Sequence, residues 1–542
     1  MLEMFRNRDR VDSTGKLLEK EGVAWGGEFI GKFLLGCIGQ HRLTRRADLA
    51  ATIALVVREL ASCQGSNGYV GFHPTAQELQ SDCETYGQYY MLLAMVLWHE
   101  ETGDATALGI ATKLTDLLCT RFADDDHRLG TDVCNSAVLH STALLYSLTK
   151  QERYLSLCQR VLHWLAQAPA GRDYLGDALA NKPFHDKSAA GQRWEGLLTV
   201  LGIGALGTLG LTGPISSTDC AKAFEQMFWS MAETERHNNG GWGANECASG
   251  TPYAVESTGG IETCSMVSWC SVCVSMLQLH ISSSTSIAAD ELEMSLLNAA
   301  MFSQSPSGRW CVYDLTMGPG VRIAIPCGKS TISQGGCGYP EMSCCSVNCP
   351  RVFGMLADWA VIPVPAPRTG WAINLYAPGE LSLTAPAVGA AVGVSILTEY
   401  PRQPKVTLKV KPAADAEFEL WLRIPAWSKP ERTTVSMSDG AAVPPVVAGR
   451  YLALRRRWPA TGTTIDITLV STTTPRSLAS STLDKRCAHR TFVSGSGRTQ
   501  WSSRRSQAGE RMSASARCTV GLYFSATIRG SIRTPAEIRR RA

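Results

Sequence analysis

The stretch YGQYYMLLAMVLWHEETGDATALGIATKLTDLLCTRF, residues 86–122, holds an apolar run, a short polar turn and a second apolar run. Apolar positions recur at helical spacing on both sides of ETGD, so the segment predicts two antiparallel helices joined by a tight turn. The same design recurs on either side. GEFIGKFLLGCIGQHRLTRRADLAATIALVVRELASCQ (27–64) is one pair and NSAVLHSTALLYSLTKQERYLSLCQRVLHWLAQ (135–167) another. RWEGLLTVLGIGAL (193–206) with STDCAKAFEQMFWSMAE (217–233) is a fourth, and the segment from Glu262 to Met301 a fifth. Serial helical hairpins form either an open solenoid or a closed α/α barrel. The spacing is long and irregular, and the loops between pairs are long and rich in Gly, Trp and Asn. That combination favours closure, with a site built on the loops. The fold class expected is mainly α: a closed α/α barrel over residues 1–365.

The composition changes near residue 362. After the Pro-rich join VIPVPAPRTG come runs such as VGVSILTEY, KVTLKVKP, FELWLRIP, RYLALRRRW and TTIDITLV. Alternating β-branched and apolar residues punctuated by Pro and Gly predict a β-sandwich domain over 371–472. The remaining 473–542 is Ser-, Arg- and Thr-rich without periodicity and is expected to be disordered.

Charge and cysteine content narrow the classes. The net charge is +4, but residues 471–542 alone carry 13 Arg and 1 Lys against 3 acidic residues, which leaves −7 on the rest. A mildly acidic body argues against nucleic acid as the partner. No apolar run reaches the ~20 residues of a membrane span. The polar start MLEMFRNRDRVDSTGK lacks an apolar signal core, so a cytoplasmic location is expected. The 19 cysteines are odd in number, and without an export signal they do not suggest a disulfide framework. Most, such as Cys158, Cys270 and Cys273, lie in apolar helical runs, where Cys serves as a small hydrophobe.

Two Gly-rich segments stand apart: GGWGANECASGTPYAVESTGGIETCSMVSW (240–269) and GGCGYPEMSCCSVNCPRVFGML (335–356). Within them Glu262, Cys264 and the adjacent Cys344 and Cys345 offer one carboxylate and three thiolates, the donor set of a tetrahedral zinc site. Packing of these cysteines in a helical core is the other reading of the same spacing. Glu246, among Trp242, Asn245 and Tyr253, has the chemistry of a proton donor for glycoside hydrolysis, or of a solvated loop carboxylate; Glu256 is a weaker competitor.

The order Glu246, then Glu262-Thr263-Cys264 sixteen residues later, then Cys344-Cys345 resembles glycoside hydrolase family 127, the β-L-arabinofuranosidase type. INLYAP, LTEYP, LWLRIPAW and RYLALRRRW resemble that family's β-domain phrases, and the likeness covers roughly 25–470. It implies an (α/α)6 barrel followed by β-sandwich domains and a retaining exo-glycosidase that releases L-arabinofuranose or a related sugar. It implies Zn2+ held by Glu262, Cys264, Cys344 and Cys345, with Cys344 also the nucleophile and Glu246 the acid/base. Where the family's inner helices carry sugar-contacting histidines, this chain reads YGQYY and GQRWEG, so Tyr86, Gln88, Trp194 and Glu195 stand as the substrate contacts. The expected partners are a carbohydrate, neither nucleic acid nor membrane, with a homodimer as an open option. Two other classes compete. One is a non-catalytic carbohydrate-binding or structural zinc protein on the same scaffold. The other is a uronate lyase, for which His237 and Tyr253 are the nearby bases.

Overall fold

The computed structural model describes residues 2–16, 26–80, 84–126, 128–129, 133–168, 172–187, 192–244, 246–248, 250, 260–282, 284–304, 308, 311–315, 324–325, 330–331, 343–385 and 389–471. Asn245, Tyr253, Glu256 and the tail 473–542 lie outside them.

Six inner helical segments lie side by side in chain order. They are Gly26–Thr44, Glu84–Thr102, Val138–Thr149, Gly196–Gly207, Thr263–His280 and the broken run from Cys344–Asn348 through Pro350–Gly354 to Leu356–Trp359. Each packs on the next, and the last packs back on Gly26–Thr44, which closes the ring. Outside them run Ala47–Cys63, Ala105–Arg121, Glu152–Ala166, Ser217–Thr234 and Ile287–Met294, each against the inner helix it follows. The described residues thus form a closed helical barrel. Among them, no helix is long and apolar enough to cross a membrane.

The hairpin turns owe their shape to identifiable residues. Asp104 caps Ala105–Arg121 by accepting from the N–H groups of Thr106 and Ala107, which satisfies donors that an uncapped helix leaves open. Lys150 adopts a left-handed φ of 56° and ends Val138–Thr149 one residue before the next helix is entered. The inner helices are apolar on most faces: nearly every residue of Glu84–Thr102 up to Val96 is buried, as expected for a helix with neighbours on all sides. Gly31 permits the tightest of these contacts, because a Cβ there would lie 2.4 Å from the backbone carbonyl carbon of Tyr90. That approach seats Lys32, the next residue, over the Tyr90 ring at 4.8 Å.

The C-terminal region is two packed sheets. The five-stranded sheet runs Thr434–Met437, Thr463–Thr468, Lys405–Pro412, Ala391–Thr398, Gly379–Thr384; the four-stranded one runs Arg450–Trp458, Ala416–Ile424, Gly370–Ile373, Val361–Pro363. The earliest of these strands in the chain, Val361–Pro363, lies within the Pro-rich join itself. Alternation in Ala416–Ile424 serves two cores at once. Phe418, Leu420, Leu422 and Ile424 face the partner sheet, while Trp421 joins the helical core.

Arg423, on that same outer face and fully buried, clamps the two regions. Its guanidinium donates to the Asn374 carbonyl (2.6 Å), to Asp290 Oδ1 (2.5 Å) and to Glu293 Oε1 (2.6 Å), and Tyr400 Oη donates to the same Glu293 oxygen. Asp290 and Glu293 lie on the outer helix Ile287–Met294. Arg423→Ala would leave two buried carboxylates without their cation, an arrangement that costs about 3–5 kcal/mol. Its thermal unfolding midpoint is expected to fall markedly; a midpoint equal to that of the unsubstituted chain would show that the clamp is not what docks the sheets.

Candidate active site

Two short strands and two helix starts bring the site together. Ile261–Glu262 pairs with Asp314–Leu315 (Glu262 opposite Asp314) and then enters the helix Thr263–His280, so Glu262 and Cys264 flank its first residue. Cys344 and Cys345 open the helix Cys344–Asn348, whose start is held by a reciprocal cap. The Ser343 hydroxyl accepts from Ser346 N at 3.1 Å, and the Ser346 hydroxyl accepts from Ser343 N at 2.8 Å.

These two starts place the Glu262 carboxylate and the three sulfurs within 4.8 Å of one another. Cys345 Sγ lies 3.4 Å from Cys264 Sγ, 3.7 Å from Cys344 Sγ and 3.4 Å from Glu262 Oε1, and Cys344 Sγ lies 3.9 Å from that oxygen. A tetrahedral ion with bonds of about 2.3 Å to sulfur and about 2.1 Å to oxygen separates its sulfurs by about 3.8 Å and sulfur from oxygen by about 3.6 Å. The donor set therefore fits one metal ion. Glu262 Oε2 is buried with no hydrogen-bond partner among the described residues, an arrangement that costs free energy without a cation to receive it. Glu262, Cys264 and Cys345 are buried, whereas Cys344 is half-buried.

Electrostatics express the crowding of acidic groups. Burial and the charge on Cys264 push the Glu262 carboxyl well up. Burial works against a charge on Cys264 as well, but hydrogen bonds from Cys344 and Cys345 and the Lys32 ammonium hold it well below the usual thiol range. Cys344 is pushed up chiefly by the hydrogen bond that it gives to Cys264, and Cys345 chiefly by burial.

Glu246 sits beside this cluster. Strand pairing of Gln192–Arg193 with Cys247–Ala248 sets the Arg193 guanidinium 3.0 Å from Glu246 Oε2. Tyr313, next to the strand that pairs with Glu262, donates to Glu246 Oε1 at 2.8 Å. Burial first, then the negative charges of Cys344, Glu262, Cys345 and Glu246, push the Tyr313 phenol far up. Glu246 has a left-handed φ of 66°, a conformation that costs a non-glycine residue free energy and is found where a site fixes a side chain's aim.

The four residues expected to contact substrate divide. Tyr86 and Trp194 face each other edge-on at 6.4 Å and both lie against Lys32. Trp194 N also donates to the Glu246 carbonyl at 2.9 Å. Glu195 is buried and receives both arms of Arg193, at 2.7 and 3.0 Å. Gln88, by contrast, donates its amide to the Val70 carbonyl at 2.9 Å. His237 is buried against the Gly243 carbonyl at 2.7 Å, tied up within its own loop and poorly placed as the base of a lyase. Cys270 and Cys273 are buried in the helical core. Lys32, Glu28, Arg193 and Tyr313 are the site residues that sequence reasoning missed. One signal was available: Glu28 and Lys32, four residues apart, are charged in the otherwise apolar run GEFIGKFLLGCIG.

Residues 2–358 match the family described as beta-L-arabinofuranosidase, GH127 catalytic domain, and residues 370–470 its GH127 middle domain. A non-reducing end beta-L-arabinofuranosidase of Bifidobacterium longum subsp. longum is 26% identical over 133 residues, which is 22% of this chain and 20% of that relative's length. A GH127 beta-L-arabinofuranosidase from Geobacillus stearothermophilus T6 shares the fold with a TM-score of 0.67 at 19% identity, over 86% of this chain and 75% of that one. A second solved GH127 beta-arabinofuranosidase gives a TM-score of 0.67 at 19% identity, over 86% and 74%. Matched over both its helical and its sheet regions, the chain belongs to the GH127 beta-L-arabinofuranosidase family.

Proposed function

We propose that the chain is a retaining exo-glycosidase that releases L-arabinofuranose or a related sugar, with Cys344 as nucleophile and Glu246 as acid/base. Zn2+ would be held by Glu262, Cys264, Cys344 and Cys345. The observation that carries the reading is the convergence of these four donors with only Cys344 half-buried, next to a glutamate positioned from both sides.

A bound zinc ion would keep the thiols as thiolates at neutral pH and fix the direction of the Cys344 sulfur. The protein's own groups then carry out two displacements. Cys344 Sγ attacks the anomeric carbon while the Glu246 carboxyl protonates the leaving oxygen; the C–O bond breaks and a C–S bond forms. The Glu246 carboxylate next takes a proton from water, whose oxygen displaces the sulfur from the same carbon. Two inversions give net retention, and splitting one hard step into two lowers each barrier. Arg193 and Tyr313 hold the two oxygens of Glu246, which fixes the acid's aim through both steps.

The direct test is hydrolysis of an aryl β-L-arabinofuranoside by the purified chain, with the product anomer read by proton NMR. First-formed product of inverted configuration would overturn the double displacement. Metal analysis of the same protein is expected to give about one zinc per chain, and Cys264→Ala none after dialysis. A wild-type chain free of zinc would refute the metal reading. One zinc with sugar binding and no turnover would instead mark a non-catalytic carbohydrate-binding protein.

A further inference from the structure

Three thiolates, one carboxylate and one divalent cation sum to a net charge of −2. Cys264, Cys345 and Glu262 are at most 1% exposed, so most of that charge is out of water, where an uncompensated ion is costly. The fully buried Lys32 ammonium is placed to meet it. Lys32 Nζ lies 3.4 Å from Cys264 Sγ and donates to Glu28 Oε1 at 2.5 Å. The faces of Tyr90, Trp194 and Tyr86 surround it at 4.8, 5.4 and 5.7 Å. Cation–π contacts of this kind stabilise an ammonium that has lost its water. Arg193, the nearby guanidinium, is half-exposed and engaged by Glu195 and Glu246.

We infer that Lys32 is a positioning residue of the metal centre: its N–H···S hydrogen bond to Cys264 offsets the buried negative charge and sets both the affinity for zinc and the electron density on the sulfurs. The inference rests on the zinc reading above and adds to it a residue outside the four ligands. Glu28 and the three rings hold the ammonium in place and keep solvent from it. A plain helical ion pair at four-residue spacing would need neither the sulfur contact nor the aromatic enclosure, since such pairs normally sit on solvated faces. Groups that hydrogen-bond to metal ligands typically account for 10- to 100-fold in metal affinity.

The test compares the full-length wild type, Lys32→Met and the double variant Glu28→Gln/Lys32→Met. Zinc affinity is read by chelator competition, and the cobalt(II)-substituted proteins give the thiolate-to-cobalt charge-transfer absorption. Both variants are expected to bind zinc roughly 10- to 100-fold more weakly and to shift the cobalt band. The double variant removes the lone buried carboxylate that could keep Lys32→Met from folding. Were Lys32 only the partner of Glu28, the double variant would regain wild-type affinity and an unshifted band, and that result overturns the inference. A wild type that binds neither metal overturns the zinc reading and this inference together; metal bound equally by all three proteins overturns this inference alone.

Discussion

Cys344→Ser is expected to lose hydrolysis of an aryl β-L-arabinofuranoside by roughly 10³-fold or more, the scale on which removing a covalent nucleophile acts. The prediction follows from position as well as chemistry. Of the three clustered cysteines, Cys264 and Cys345 are buried and Cys344 is half-buried, which favours Cys344 as the sulfur offered to an anomeric carbon. A serine oxygen is smaller, far more weakly acidic and a harder donor, and it cannot serve as an easily displaced leaving group in the second step. The substitution spares Glu246, Arg193 and Tyr313, so sugar binding is expected to persist and isolates the chemical step. Cys345→Ser in parallel separates nucleophile from ligand: it should weaken zinc binding, and its residual turnover should rise with added zinc, whereas that of Cys344→Ser should not. Turnover of Cys344→Ser near the wild-type rate would remove the nucleophile assignment.

How much of this site a sequence discloses depends on whether the information is local. The hairpins were readable because apolar spacing and the ETGD turn are local; Asp104, the last residue of that turn, caps the helix that follows it. The β-runs were readable through alternation. Glu262-x-Cys264 and Cys344-Cys345 were readable as a spaced pattern, and the structure brings all four donors together. Tyr313 was not, because a two-residue pairing of Glu262 with Asp314 brings it in, and so short a pairing leaves no periodicity. Arg193 arrives in the same way, through Gln192–Arg193 and Cys247–Ala248. Gln88 shows the converse limit. It lies two residues from Tyr86 on the same helix and so points elsewhere, and its amide satisfies a backbone carbonyl. Arg423 reads as part of a sandwich strand, yet its side chain belongs to the interface with the barrel, a role that follows from which sheet face is covered.

Glu246→Ala tests the other half of the chemistry, and its effect should depend on the leaving group. General acid assistance contributes roughly 10²–10⁴-fold when a proton must reach the departing oxygen. For a substrate with an alkyl or sugar leaving group, the variant is therefore expected to lose about that much in kcat. A nitrophenyl aglycone departs without a proton, so its C–O cleavage should be nearly spared, while the water that completes the reaction still lacks its base. Deglycosylation then becomes limiting, and a burst of about one nitrophenolate per chain should precede slow turnover. Intact-protein mass spectrometry should show one added pentosyl group, located by peptide mapping on Cys344. Arg193 and Tyr313 would lose their shared partner, so the unfolding midpoint of the variant must be checked before the kinetics are read. Equal losses on good and poor leaving groups, with no burst and no adduct in a folded variant, would show that Glu246 does not transfer the proton and that its place beside Tyr313 is structural.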